Sequence, residues 1–328
     1  MTAAGARGSF LIDSGVSLPG EASPLRIAID VQMPDASLLA QQPVAFVCLP
    51  GGAMNRHYYD LQAEGDDSYS FAAQMAKRGF ITVMVDHPGI GDSDRPADGY
   101  ALTPDVVAQA NSNAIAKVLA DLKSGNLIAG CAALPNLVSI LVGHSMGAMF
   151  TVLQQAQFKQ HAAIALLGFS TRGLPEYTSP EVRELAKDTT ALRSQLAPLA
   201  RKMFVESYPV IKPSPQAKSV YSGANAEAKG VAALKRAMDK LLPVPAFMSM
   251  VPGNVLPEAR SIDVPVFLGI GELDMVGPTH EIPASFTGSH DVTLYILPQT
   301  GHSHFLFPAR SGLFSRLAAW ARIAASGS

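Results

Sequence analysis

The chain has 328 residues, of which 16% are charged and 48% hydrophobic; this is the composition of a globular protein with a large core, and it excludes disordered and fibrous classes. A formal net charge of −2 with scattered lysines and arginines leaves no basic patch for a phosphate backbone, so nucleic acid is not an expected partner. No apolar run reaches membrane-span length, and Met1-Thr2-Ala3-Ala4-Gly5-Ala6-Arg7-Gly8 lacks the apolar stretch of a signal peptide, so a cytoplasmic location is expected.

Short apolar runs alternate with segments of helical period, the pattern of βαβ units around a mostly parallel sheet. Residues 25–31 alternate apolar and polar side chains, which predicts a half-exposed antiparallel edge strand. Buried strands are expected at residues 44–49, 80–86, 137–142, 162–168, 266–270 and 292–297, making at least seven. Between them, residues 71–77 read as a helix closed by Gly79, and Thr103-Pro104-Asp105 supplies an N-cap and a first-turn proline for a longer one. A third helix spans 146–157, and a terminal one spans 308–323 with Leu313, Leu317, Trp320 and Ile323 on its apolar face.

Residues 171–262 break this alternation with ten prolines, helical pieces and no convincing strand. They read as a helical cap inserted into a core formed by 1–170 and 263–328. Met203, Met238, Met248 and Met250, with Phe204 and Phe247, either line an adaptable apolar pocket or form the cap's own core. Cys48 lies inside an apolar strand and reads as a small core residue; Cys131 lies in a loop, and neither has the spacing of a metal site.

Gly143-His144-Ser145-Met146-Gly147 follows one expected strand directly and opens a helix. A serine hydroxyl needs a neighbouring base to become a nucleophile. In this context the motif is a nucleophile elbow, with Ser145 on a strained turn and small residues at 143 and 147 letting strand and helix approach closely. An acid and a histidine should follow in that order at later strand ends. Asp274, in Gly271-Glu272-Leu273-Asp274, and His302, in Gly301-His302-Ser303-His304, occupy those places. His304 is a rival base, Glu272 a rival acid, and His302 with His304 could be read as metal ligands, although no third ligand is implied and no metal is expected.

Together these residues resemble the α/β-hydrolase superfamily from about Val44 to the end, the cap excepted. The resemblance implies a mostly parallel sheet of about eight strands flanked by helices. It includes the stretch from Asp86 to Pro96, which looks like the family's structural loop after the fourth strand; Asp86, His87 and Asp94 are assigned to architecture. Leu49-Pro50-Gly51-Gly52-Ala53-Met54 follows the third strand where family members commonly carry His-Gly, with proline in place of that histidine. The resemblance implies an oxyanion hole from the backbone N–H of Met146 and of Gly52 or Ala53. It favours His302 over His304 and Asp274 over Glu272.

His144 is expected to turn away from the oxyanion hole and pack. Met54, His57, Phe204 and Met248 are candidate substrate contacts; His57, Tyr58 and Tyr59 reach the pocket mouth or belong to a surface loop. The expected function is hydrolysis of a small to medium apolar ester, lactone or thioester through Ser145, His302 and Asp274, without a cofactor. A carbon–carbon hydrolase, an acyltransferase, a cofactor-free haloperoxidase and a catalytically silent binding module are the alternatives. The oligomeric state is left open.

Overall fold

Strand residues point alternately to the two faces of a sheet. In Val44–Leu49 both sets are apolar and all six residues are buried, as a central strand covered on both sides requires. The computed structural model describes residues 5–211, 223 and 225–327; Met1 to Ala4 and the prolines Pro213 and Pro215 lie outside them. Its strands are β1 (Arg7–Asp13), β2 (Arg26–Gln32), β3 (Val44–Leu49), β4 (Ile81–Val85), β5 (Val138–His144), β6 (Ala163–Leu167), β7 (Val266–Gly271) and β8 (Val292–Leu297). They form one sheet in the order β1-β2-β4-β3-β5-β6-β7-β8. Antiparallel pairing joins β1 to β2 and β2 to β4, and every other pair is parallel.

Ala45, Val47 and Leu49 face helices α2 (Pro104–Ser124) and α3 (Met146–Phe158), whereas Val44, Phe46 and Cys48 face α1 (Phe71–Ala76) and the C-terminal helix Arg310–Ser326. Helix α2 begins as its sequence dictates: Thr103 caps the Val106 N–H, and Pro104 occupies the first turn. Between β6 and β7 the described chain holds helices and a 3-10 turn but no strand. Among the described residues no helix is long and apolar enough to cross a membrane.

Three expectations are corrected. Residues 25–31 do not form the sheet edge, because β1 pairs along their whole length and leaves β2 mostly buried. The edge opposite is β8, expected to be buried but only half-buried along five of its six residues. In the C-terminal helix Ile323 is 69% exposed; Ala321, Ala324 and Ala325 continue the buried face instead.

Two polar clusters tie the loop after β3 to the loop after β4. Arg56, nearly buried, pairs with Asp86, with Asp30 at 2.8 Å and with Asp92 at 2.8 Å, and its backbone N–H donates to Asp86. Gly91 is obligatory beside it: its φ is +57° and a Cβ there would lie 2.0 Å from an Asp86 carboxylate oxygen. His87, fully buried, donates through Nε2 to the Pro50 carbonyl at 3.0 Å and accepts at Nδ1 from Asn111 at 2.8 Å. Asp94 bonds Arg26 at the surface.

Removing one partner of a buried pair strands the other's charge. Arg56→Met is therefore expected to destabilise the protein by about 3 kcal/mol in urea unfolding, while Arg26→Met leaves the midpoint almost unchanged. Burial pushes the His87 imidazole down to about 4, below the unfolded value of about 6.5, so the unfolded chain takes up the proton first. The stability this group supports is complete above pH ~6.5 and is lost as pH falls toward ~4. Buried His161, pushed down to about 3, acts in the same direction, so the difference between wild type and His87→Gln isolates the His87 share. Urea unfolding from pH 7 to 4.5 should show wild type losing about 2–3 kcal/mol more than the variant.

Candidate active site

Ser145 is the single residue between β5 and α3, at φ 55° and ψ −120°. A side-chain-bearing residue holds this conformation only where its surroundings over-determine it. Here the Ser145 N–H donates to the Leu167 carbonyl at 2.8 Å, and the Ser145 carbonyl accepts from Ala148 and Met149 in the first turn of α3. The flanking glycines make the turn possible. A Cβ at Gly143 would lie 2.3 Å from the Gly147 carbonyl oxygen, and one at Gly147 would lie 2.1 Å from that of Leu49.

The parallel register of β5, β6, β7 and β8 brings their carboxyl ends together. Asp274 lies in the turn after β7 and His302 in the turn after β8. His302 Nε2 is 2.8 Å from Ser145 Oγ, and its Nδ1 is 2.8 Å from Asp274 Oδ1. The carboxylate only accepts, so Nδ1 carries a proton and Nε2 is left to accept from the serine hydroxyl. Asp274 has a fully buried side chain and His302 one that is 4% exposed. Burial, the largest influence on Asp274, acts to raise its pKa, but the His302 and His304 imidazoles outweigh it and hold the carboxyl well below the usual range.

His304 does not reach Ser145; its Nε2 lies 3.2 Å from Asp274 Oδ2. Glu272 points elsewhere, accepting from the Gln299 backbone and side-chain amides at the surface. His144 packs, as expected, with its ring 4.6 Å from Tyr58, and it also makes a bond that sequence reasoning missed. Its Nε2 donates to the His302 carbonyl at 2.8 Å. Burial, reinforced by His302 and His304, holds the His144 imidazole far below its ordinary pKa, so it bonds as a neutral donor. The Gly-His-Ser-Met-Gly pattern marks a turn and carries no signal for that contact.

Ser145 and His302 border a cavity of about 410 Å³. Met54 and Phe204 line it, together with Met146, Met203 and Met250. Leu174, Tyr177, Ile211, Leu241, Ala246 and Met275 also line it, and nothing in the sequence separates them from ordinary core. Among the described lining residues none is Asp, Glu, Lys or Arg. Gly52 borders the cavity, whereas Ala53 is 1% exposed with φ +57° and does not.

Two expected contacts lie elsewhere. Met248 is buried in a separate cleft with Thr103, Pro104 and Val244. On the helix Pro243–Met250 the period of 3.6 sends Ala246, Ser249 and Met250 to the cavity and Val244 and Met248 toward the start of α2. His57 is exposed on the 3-10 turn Arg56–Asp60, while Tyr58 and Tyr59 turn into the core, away from the surface and from any pocket mouth. Met238 and Phe247 do not line the cavity either. Cys48 and Cys131 are both free thiols, the former buried in β3.

A family model described as the alpha/beta hydrolase family matches residues 46–311. Comparison with curated proteins gives no match. Among solved structures, the chain is similar to a proline iminopeptidase from Mycobacterium smegmatis at 16% identity and a TM-score of 0.59, covering 98% of this chain and 99% of that one. It is similar to an esterase from Exiguobacterium antarcticum at 16% identity and 0.57, over 96% and 99%. A thioesterase domain from the curacin biosynthetic pathway matches at 14% identity and 0.54, over 97% and 99%. At these identities the structures establish a shared fold. With the family model spanning most of its length and the eight-stranded sheet in place, the chain belongs to the alpha/beta hydrolase family.

Proposed function

We propose that this family member is a serine hydrolase that cleaves an ester-type bond, in a carboxylic ester, lactone or thioester, of a small to medium apolar substrate. One observation carries the reading: the hydrogen-bond chain Asp274–His302–Ser145, with both links at 2.8 Å, opens onto an apolar cavity. Ser145 Oγ attacks the carbonyl carbon as its proton passes to His302 Nε2, and Asp274 orients and stabilises the imidazolium. The carbonyl π bond becomes an oxyanion and then re-forms as the carbon–oxygen or carbon–sulfur bond breaks. His302 gives its proton to the departing group. Water then repeats the sequence on the acyl-enzyme and frees the acid.

The oxyanion hole in this reading is formed by the N–H groups of Met146 and Gly52. Among the described residues neither is bonded to a protein acceptor, and both residues border the cavity beside Ser145. Gly52 is preferred to Ala53 because Ala53 is buried away from the cavity. Residues 171–262 act as a cap over the core of 1–170 and 263–328, contributing Leu174, Tyr177, Met203, Phe204, Leu241 and Met250 to the wall. A wall without a charged side chain favours neutral, apolar acyl groups, since a bare charge entering it would lose hydration without gaining a partner. Methionines adapt to varied shapes. The esterase and the thioesterase domain among the similar structures agree with this chemistry.

A fluorophosphonate probe is expected to label the protein, and Ser145→Ala to abolish labelling and reduce ester hydrolysis by about 10⁴-fold or more; labelling of the variant at the wild-type rate would remove Ser145 from the mechanism. Across p-nitrophenyl esters, medium acyl chains should turn over faster than acetate or palmitate, and Met250→Trp, which fills the cavity, should move the optimum to shorter chains. A model diketone assayed beside them discriminates the carbon–carbon alternative: turnover of the diketone alone would displace the ester reading.

A further inference from the structure

Asp274 is held by two imidazoles, only one of which faces the serine. His302 Nδ1 lies 2.8 Å from Oδ1 and His304 Nε2 lies 3.2 Å from Oδ2. Among the described residues these are the hydrogen bonds the carboxylate accepts. Both donors come from one short stretch, Gly301-His302-Ser303-His304, so the turn after β8 grips both carboxylate oxygens. The His304 side chain is fully buried, and among the described residues its Nδ1 has no hydrogen-bond partner. Its bond to Asp274 is the polar contact that accounts for an imidazole at this place.

The surroundings leave His304 little freedom. Phe305, next in the chain, stacks between Tyr58 at 4.8 Å and Phe71 at 5.7 Å, and the His144 ring stands edge-on to His304 at 5.9 Å. On the far side Gly168, at φ +60°, lets the backbone close on the pair: a Cβ there would lie 3.1 Å from Asp274 Oδ2 and 3.2 Å from the His302 ring. A carboxylate held by one oxygen can rotate about its terminal torsion, which is broad, and carry Oδ1 out of the His302 ring plane. A donor on the second oxygen stops that rotation.

We propose that His304 is a positioning residue: it fixes the Asp274 carboxylate against rotation, and so fixes His302 toward Ser145. The proposal rests on the triad reading above. His304 touches neither substrate nor serine, and its effect passes through Asp274. The bond requires the proton of His304 on Nε2, the tautomer that faces a carboxylate which can only accept.

Histidine-selective ¹⁵N–¹H NMR of the wild-type protein reads that tautomer directly. A proton on His304 Nε2 with Nδ1 bare is expected, and a proton on Nδ1 with Nε2 bare overturns the proposal. In His304→Leu, kcat for the best p-nitrophenyl ester and the second-order rate of fluorophosphonate labelling should both fall by about 10²-fold, with KM little changed. His304→Gln, which retains an N–H donor, should recover most of the loss. Should His304→Leu fail to fold, the wild-type tautomer and the Gln variant still decide, because a Gln variant labelled no faster than His304→Ala overturns the proposal. Labelling that is lost in Ser145→Ala but unchanged in folded His304→Leu overturns the positioning role alone. Labelling that persists in Ser145→Ala overturns the triad beneath it, and the two failures are distinct.

Discussion

The backbone of Ser145, bent to φ 55° and ψ −120°, is the constraint on which the rest of the arrangement depends. Such a conformation costs on the order of 1–3 kcal/mol and persists only where neighbours enforce it. They do so from three directions: Leu167 of β6 receives the Ser145 N–H, the first turn of α3 bonds its carbonyl, and Gly143 and Gly147 allow strand and helix to touch. The cost has a geometric return. It lifts Oγ clear of the β5 end, at the one edge of the sheet where the turns after β7 and β8 can reach it.

A second constraint is electrostatic. Asp274 is fully buried, and a lone carboxylate there would be strongly disfavoured in its ionised form. The two imidazoles of His302 and His304 reverse that preference. The same burial that makes the charge expensive removes the water that would weaken its pull on His302. His144 completes the frame from behind by holding the His302 carbonyl. Three buried histidines thus divide the task by place: His302 between serine and carboxylate, His304 on the second carboxylate oxygen, and His144 on the backbone.

Most of the sheet is legible in the sequence because its central strands are buried on both faces and read as unbroken apolar runs between turns. The strand at Val44–Leu49 has the same bounds in pattern and structure. The elbow is legible for a similar reason, since its demands fall on adjacent residues: an apolar strand, two glycines, a helix start. Strand β1 is not legible. Arg7-Gly8-Ser9-Phe10-Leu11-Ile12-Asp13 is a half-exposed edge with three apolar residues in a row, which fits neither alternation nor a buried run. Ile323 misleads because position on a helix is shared with alanines that bury as readily. In the candidate site, order and strand-end placement point to Asp274 and His302, but which imidazole faces the serine is a matter of side-chain geometry that Gly301-His302-Ser303-His304 does not encode locally.

The cavity is the least legible part, and the helix Pro243–Met250 shows why. Met248 and Met250 are chemically identical and two positions apart, yet one packs against the start of α2 and the other borders the space beside Ser145. Two positions along a helix are 200° of rotation, so the choice depends on how the helix is turned about its axis, with Val244, Phe247 and Met248 buried in the core. The carboxyl end of the sheet escapes this problem because parallel register fixes where each strand ends. Chemistry therefore follows from elements whose placement is local and repetitive, while the shape that selects a substrate follows from helix rotations that no short stretch of sequence specifies. A wall built largely of methionine and other flexible apolar side chains tolerates small errors in those rotations, since such side chains refill a gap by changing rotamer. The rigid glycine contacts at the elbow cannot.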